Sequence, residues 1–172
     1  MRFSPEKDGV LATASWDKEI KIWDKNTMQL KHSFVGHKAQ INTIAFAPKR
    51  YLASGDHQGR VNLWSVTDGV HNTELDFQKS VNSISITPQR PWMTVATETE
   101  IIIYNIKHKE VIERLLAEPI NEGMADEESG KKKREPKFPQ PMCIQWNQES
   151  NLLFAGYNDG LIRVFKIENV AE

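Results

Sequence analysis

Four aromatic residues, Trp23, Trp64, Tyr104 and Phe165, lie 41, 40 and 61 residues apart, and each follows a polar turn position by six residues: Asp17, Gln58, Glu98 and Asp159. An apolar strand connects turn and aromatic in every copy. The clearest copy reads Ser15-Trp16-Asp17-Lys18-Glu19-Ile20-Lys21-Ile22-Trp23-Asp24. Self-similarity at a period of about 40 residues, with a Trp-Asp pair closing a strand, predicts an all-β fold built from β-propeller blades. Each unit is then one small sheet that buries its faces against its neighbours.

Strand and turn signals divide the chain into these units. Residues 1–34 form an incomplete blade, since Met1-Arg2-Phe3-Ser4-Pro5 looks like the end of a strand whose front is missing, followed by strands at 10–15, 19–24 and 29–34. Residues 35–77 form a complete blade with strands at 41–46, 52–55, 61–66 and 72–77. Residues 78–117 repeat the order at 81–86, 93–97 and 101–106. The next stretch is ambiguous. Val111, Ile112, Leu115 and Leu116 suit a short helix by spacing, whereas the repeat calls for a fourth strand. Residues 118–141 read as a charged, flexible insertion of about 20 residues that explains the longest aromatic spacing. Strands at 143–146, 152–156 and 161–167 within residues 142–172 make a last blade that lacks its fourth strand. The expected architecture is a partial propeller of about four blades, incomplete at both ends.

Bulk properties exclude little. With 22 basic and 23 acidic residues the net charge is −1, which gives no overall attraction to nucleic acid or an anionic membrane. Hydrophobic residues make up 39% of the chain, enough for a core. The single Cys143, the absence of a leader and the absence of an apolar run near the roughly 18 residues of a membrane span point to a reduced, cytoplasmic protein.

The ordered series Phe3-Ser4-Pro5, Gly36-His37, Leu153-Phe154-Ala155-Gly156-Tyr157-Asn158-Asp159 and Ile162-Arg163-Val164 resembles WD40 proteins, and within them the receptor for activated C kinase. That resemblance implies blades four to seven of a seven-bladed propeller, starting at the second strand of blade four, with the insertion between the last two blades. It further implies a non-catalytic scaffold for the 40S ribosomal subunit, its proteins and rRNA, and for signalling proteins such as protein kinase C. The remaining blades would come from the same parent polypeptide or another chain. Two other readings are a WD40 adaptor that recruits substrates to a ubiquitin ligase and, at lower odds, a propeller enzyme. The family's kinase-contact strand aligns with Ile101, Ile102, Ile103 and Tyr104, where Ile102 and Tyr104 stand in place of its usual Lys and Trp. Only Trp23 is followed by Asp; the other aromatics precede Ser65, Asn105 and Lys166.

WD40 blades also carry a buried relay of His, Ser or Thr, Asp and Trp. The second blade offers His37, Ser54 and Trp64 with Gln58 at the acid position, and the first offers Thr13, Asp17 and Trp23 without a His. A nucleophile set built on His37 and Ser54 is the catalytic alternative to this structural role. The histidines are scattered at 32, 37, 57, 71 and 108 without metal-ligand spacing, and there is no Gly-rich phosphate loop, so no cofactor is expected. Residues just before the turn position, Trp16, His57, Thr97 and Asn158, are the expected partner surface. Trp16 is either an interface anchor or a side chain folded against the next blade. Lys131, Lys132, Lys133 and Arg134 read first as a solvated loop, then as phosphate contacts, and last as a nuclear import signal.

Overall fold

The computed structural model describes residues 1–5, 9–119 and 138–167. They form four antiparallel sheets taken in chain order. The first contains β1 (Arg2–Phe3), β2 (Val10–Ala14), β3 (Glu19–Asp24) and β4 (Leu30–Val35). The second contains β5 (Ile41–Ala47), β6 (Tyr51–Asp56), β7 (Arg60–Ser65) and β8 (Val70–Asp76), with a 3-10 turn at Pro48–Arg50. The third contains β9 (Val81–Ile86), β10 (Trp92–Thr97), β11 (Ile101–Asn105) and β12 (Glu110–Leu115). The fourth contains β13 (Pro141–Trp146), β14 (Leu152–Tyr157) and β15 (Ile162–Lys166). No helix among the described residues is long and apolar enough to cross a membrane.

One local feature differs from the sequence reading and another agrees with the repeat. The first sheet has a short fourth strand beside β2, in which Arg2 pairs with Ala12 and Phe3 with Leu11. The ambiguous stretch is the strand β12, and its register explains the helix-like spacing. A bulge between Ile103 and Tyr104 leaves Ile112 as an extra residue. That insertion lets Ile112 and Leu115, three apart, both pack on the same core.

Each junction between consecutive sheets has its own core, so the middle strands are apolar on both faces. Ala12, Ile20, Ile22 and Phe34 meet Ile41, Leu52 and Trp64 at the first junction. Ala53, Val61 and Leu63 meet Val81, Met93 and Tyr104 at the second. Trp92, Ile101 and Ile103 meet Ile144, Trp146 and Leu153 at the third. Alternation along β6 thus sends Leu52 back to the first sheet and Ala53 forward to the third. Gly55 marks how closely the second and third sheets approach, since a Cβ there would lie 2.5 Å from Val81.

Polar clasps repeat along the inner strands. Asn42 Nδ2 donates to the carbonyl of Val81 at 3.0 Å, and Asn82 Nδ2 donates to that of Pro141 at 3.0 Å. One residue further on, Thr43 Oγ1 accepts the N–H of Ile84 at 3.3 Å, and Ser83 Oγ accepts that of Ile144 at 3.3 Å. The corresponding residues of the fourth sheet are Met142 and Cys143.

Candidate functional site: a buried relay and an exposed turn edge

Ser54 and Asp56 project from the same face of β6, one turn of the pleat apart, toward the loop that carries His37. His37 Nδ1 lies 2.9 Å from Asp56 Oδ2, and His37 Nε2 lies 2.6 Å from Ser54 Oγ. From β7, Trp64 Nε1 donates to the same hydroxyl at 2.8 Å. With Nδ1 protonated and donating to the carboxylate, Ser54 donates to Nε2 and receives the indole N–H, so every group has a partner. Phe34 of the first sheet stacks on Trp64, their ring centroids 5.1 Å apart, and ties the relay to the neighbouring blade.

The acid of this relay is Asp56, which corrects the alignment that placed Gln58 there. Gln58 is exposed and contributes only its N–H, which Asp56 Oδ1 accepts at 2.9 Å together with the N–H of Arg60 at 3.0 Å. Strand parity contained the signal: Leu52, Ser54 and Asp56 share a face, whereas counting back from Trp64 passes through the turn.

Burial lowers the His37 pKa from its ordinary 6.5, outweighing the opposing pull of Asp56. The ring is therefore neutral in the fold and takes up a proton more readily once unfolded. This contribution to stability is complete above the unfolded value of 6.5 and is lost as pH falls toward the lower folded value. Denaturant midpoints measured across this range should decline on the acid side, and His37→Gln should flatten that limb. An unchanged limb in the variant would contradict the assignment.

In the first sheet, Trp23 Nε1 donates to Thr13 Oγ1 at 2.9 Å, but Asp17 stays outside this pair. Asp17 is exposed and instead accepts the N–H of Glu19 at 3.0 Å, shaping the turn. The third and fourth sheets hold Val95 and Ala155 at the hydroxyl position, so the relay cannot form there. A different bond appears at their junction: Trp146 Nε1 donates to Thr94 Oγ1 at 2.9 Å, from one blade to the next. Sequence reasoning missed this pair because both residues lie off the repeating positions.

The expected partner surface divides. Trp16 is 71% exposed, which selects the exposed reading over one folded against the next blade. His57 and Asn158 are also exposed. Each is held in place: His57 Nδ1 lies 3.1 Å from Ser80 Oγ, and Asn158 Oδ1 accepts the Gln140 N–H at 2.9 Å. Thr97 is fully buried and leaves the set. Gly55 pairs with Val61 across its turn but Ala96 pairs with Ile101, so the third turn is one residue shorter. Thr97 therefore occupies the inward position of Asp56, where its hydroxyl donates to the Glu100 carbonyl at 3.0 Å. Ile101, Ile102, Ile103 and Tyr104 are all buried between sheets, at most 8% exposed, which corrects their placement on a kinase-contact surface. Lys131, Lys132, Lys133 and Arg134 lie outside the described residues.

The repeat geometry agrees with the family comparison, in which residues 1–24, 28–65 and 137–166 match the WD domain, G-beta repeat family. The chain belongs to the WD-repeat family. This WD-repeat protein is 34% identical over 169 residues to the small ribosomal subunit protein RACK1 of Caenorhabditis elegans, covering 97% of the chain and 49% of the relative. It is 31% identical to the protein of the same name from Neurospora crassa and to MST50-interacting protein 11 of Pyricularia oryzae, covering 97% of the chain and 50% of each. The chain thus spans about half the length of the relatives it matches.

Within a WD-repeat blade the trio of Ser54, His37 and Asp56 has the bond order of a nucleophilic triad, yet its surroundings oppose attack. Ser54 and Asp56 are fully buried, and the Ser54 oxygen already receives the indole N–H. A substrate carbonyl has no approach to that oxygen in this packing. Among the described residues no group of three or more His, Cys, Asp or Glu is placed to hold a metal ion.

Proposed function

We propose that this WD-repeat protein is a non-catalytic scaffold of the RACK1 type, which associates with the small ribosomal subunit in the cytoplasm and presents surfaces to kinases or other signalling proteins. The observation that carries the reading is similarity to the small ribosomal subunit protein RACK1 across 97% of the chain. Its buried relay supports the reading, because the residues most able to do chemistry are consumed in fixing a blade. Partners would meet the edge formed by the turns after β2, β6 and β14, with Trp16, His57 and Asn158 as contacts. The strand from Ile101 to Tyr104 would support that edge from within. Lys131, Lys132, Lys133 and Arg134 would add phosphate contacts that weaken with salt.

Affinity capture of the tagged full-length protein, followed by sedimentation at low and high salt, tests this. The protein is expected with the small subunit at low salt and largely released at high salt. Trp16→Ala should reduce the bound fraction severalfold if the indole is an anchor. Sedimentation apart from ribosomal subunits at low salt, or co-purification with ubiquitin-ligase components instead, would overturn the ribosomal assignment.

A further inference from the structure

We propose that the cavity between the first and second sheets is a binding site for a phosphate monoester. The recess has a volume of about 170 Å³, space for several waters at about 30 Å³ each in the liquid. Its apolar floor includes Val10 and Phe46, while Lys31, His32 and Arg50 supply basic groups and Ser4 and Thr67 supply hydroxyls.

The space exists because Val10 is small. Val10 pairs with Asp24 one residue before the pair between Leu11 and Trp23, and Trp92 holds the same place beside the Met93 and Tyr104 pair. Phe46 and Trp146 likewise correspond, opposite Leu52 and Leu153. At the third junction the two indoles Trp92 and Trp146 meet at 6.4 Å and fill the position. Val10 and Phe46 leave it open.

What surrounds this opening favours a compact anion. Lys31 and His32 line it from β4 and Arg50 from the turn before β6, so a basic side chain stands on each sheet. Lys31 Nζ is 2.8 Å from Asp24 Oδ2, and Asp24 also accepts the N–H groups of Asn26 and Thr27 at 2.8 and 3.0 Å. Those two donors share the carboxylate charge, and an ammonium with three N–H groups can hold Asp24 and a second acceptor together. His32 is positioned by Gly69, whose φ is +72° and whose added Cβ would come within 2.8 Å of His32 Nδ1. The same turn carries Thr67 to the rim. A terminal phosphate brings a charge of about −1.5 to −2 and three acceptor oxygens, which suits a partly open recess with donors on two sides.

Thermal unfolding of the full-length protein with inorganic phosphate, phenyl phosphate, and a phosphoserine peptide beside its unphosphorylated form tests the site. A saturable rise in midpoint with phenyl phosphate is expected, by mass action on the folded state. A phosphopeptide that binds more tightly than phenyl phosphate would identify a modified side chain as the source; equal binding would identify a free ester. Val10→Trp should fill the recess as Trp92 does and weaken binding at least about tenfold while circular dichroism shows a folded protein. Arg50→Asn suits the left-handed backbone at φ +61° and should weaken binding similarly, so it decides the case should Val10→Trp not fold. Absence of any saturable shift, or binding unchanged in a folded variant, would overturn the site.

Discussion

Replacing Asp56 by alanine is expected to cost about 3 kcal/mol of unfolding free energy, read as a fall in the urea midpoint. The carboxylate serves three donors at once: the His37 ring N–H, and the N–H groups of Gln58 and Arg60. Alanine leaves the imidazole buried without an acceptor and loosens the turn that ends β6. Loss of a charged partner from inside a packed junction costs more than the bond itself contributed, because the remaining donor stays dry. Asp56→Asn keeps an acceptor oxygen and should cost less. Gln58→Ala should remain within about 0.5 kcal/mol of the parent, as an exposed substitution without a side-chain role does. Equal effects at 56 and 58 would refute the placement of the relay's acid.

At the third junction, Trp146→Ala should destabilise the protein by about 3–5 kcal/mol, the range for emptying a large aromatic site in a core. Trp146 is 4% exposed, contacts Trp92 and belongs to the core shared by the third and fourth sheets. Trp146→Phe separates packing from hydrogen bonding. It keeps most of the ring but deprives Thr94 of its donor, and should cost about 1–3 kcal/mol. Thr94→Val combined with Trp146→Phe should recover part of that loss, since neither side then carries an unpaired polar group. Strict additivity in this cycle would show that the bond between blades contributes nothing of its own.

The fold was largely legible because periodicity survives substitution. Trp23, Trp64, Tyr104 and Phe165 mark equivalent strands although they differ in size and polarity, and the family model matches the three repeats that carry Trp23, Trp64 and Phe165. Features that depend on pairing register were less accessible. Asp56 and Thr97 both face inward, but counting along the sequence from the aromatics assigned neither correctly: the count back from Trp64 passes through the turn and overlooks Asp56, and the turn after Thr97 is one residue shorter. The strand from Ile101 to Tyr104 is apolar throughout, and that pattern alone did not distinguish an accessible strand from one enclosed on both faces. Trp146 and Thr94 lie 52 residues apart in separate units, so no local pattern joins them. Their contact follows only from stacking the sheets. Trp16 could be read from the sequence either as an exposed side chain or as one folded against the next blade, and the structure shows it exposed in its turn.

The clasps along the inner strands also give the stack a direction. In both repeats the earlier sheet supplies the clasping side chains, Asn42 with Thr43 and then Asn82 with Ser83, and the later side answers with backbone groups, joined at the second junction by the Ser80 hydroxyl, which accepts from Asn42 at 3.4 Å. Within these clasps side-chain identity is demanded mainly on the upstream partner, whereas the bond from Trp146 to Thr94 at the third junction demands it on both. The clasps are thus asymmetric: at the second and third junctions the earlier sheet is held to its successor by the amide and hydroxyl side chains it carries.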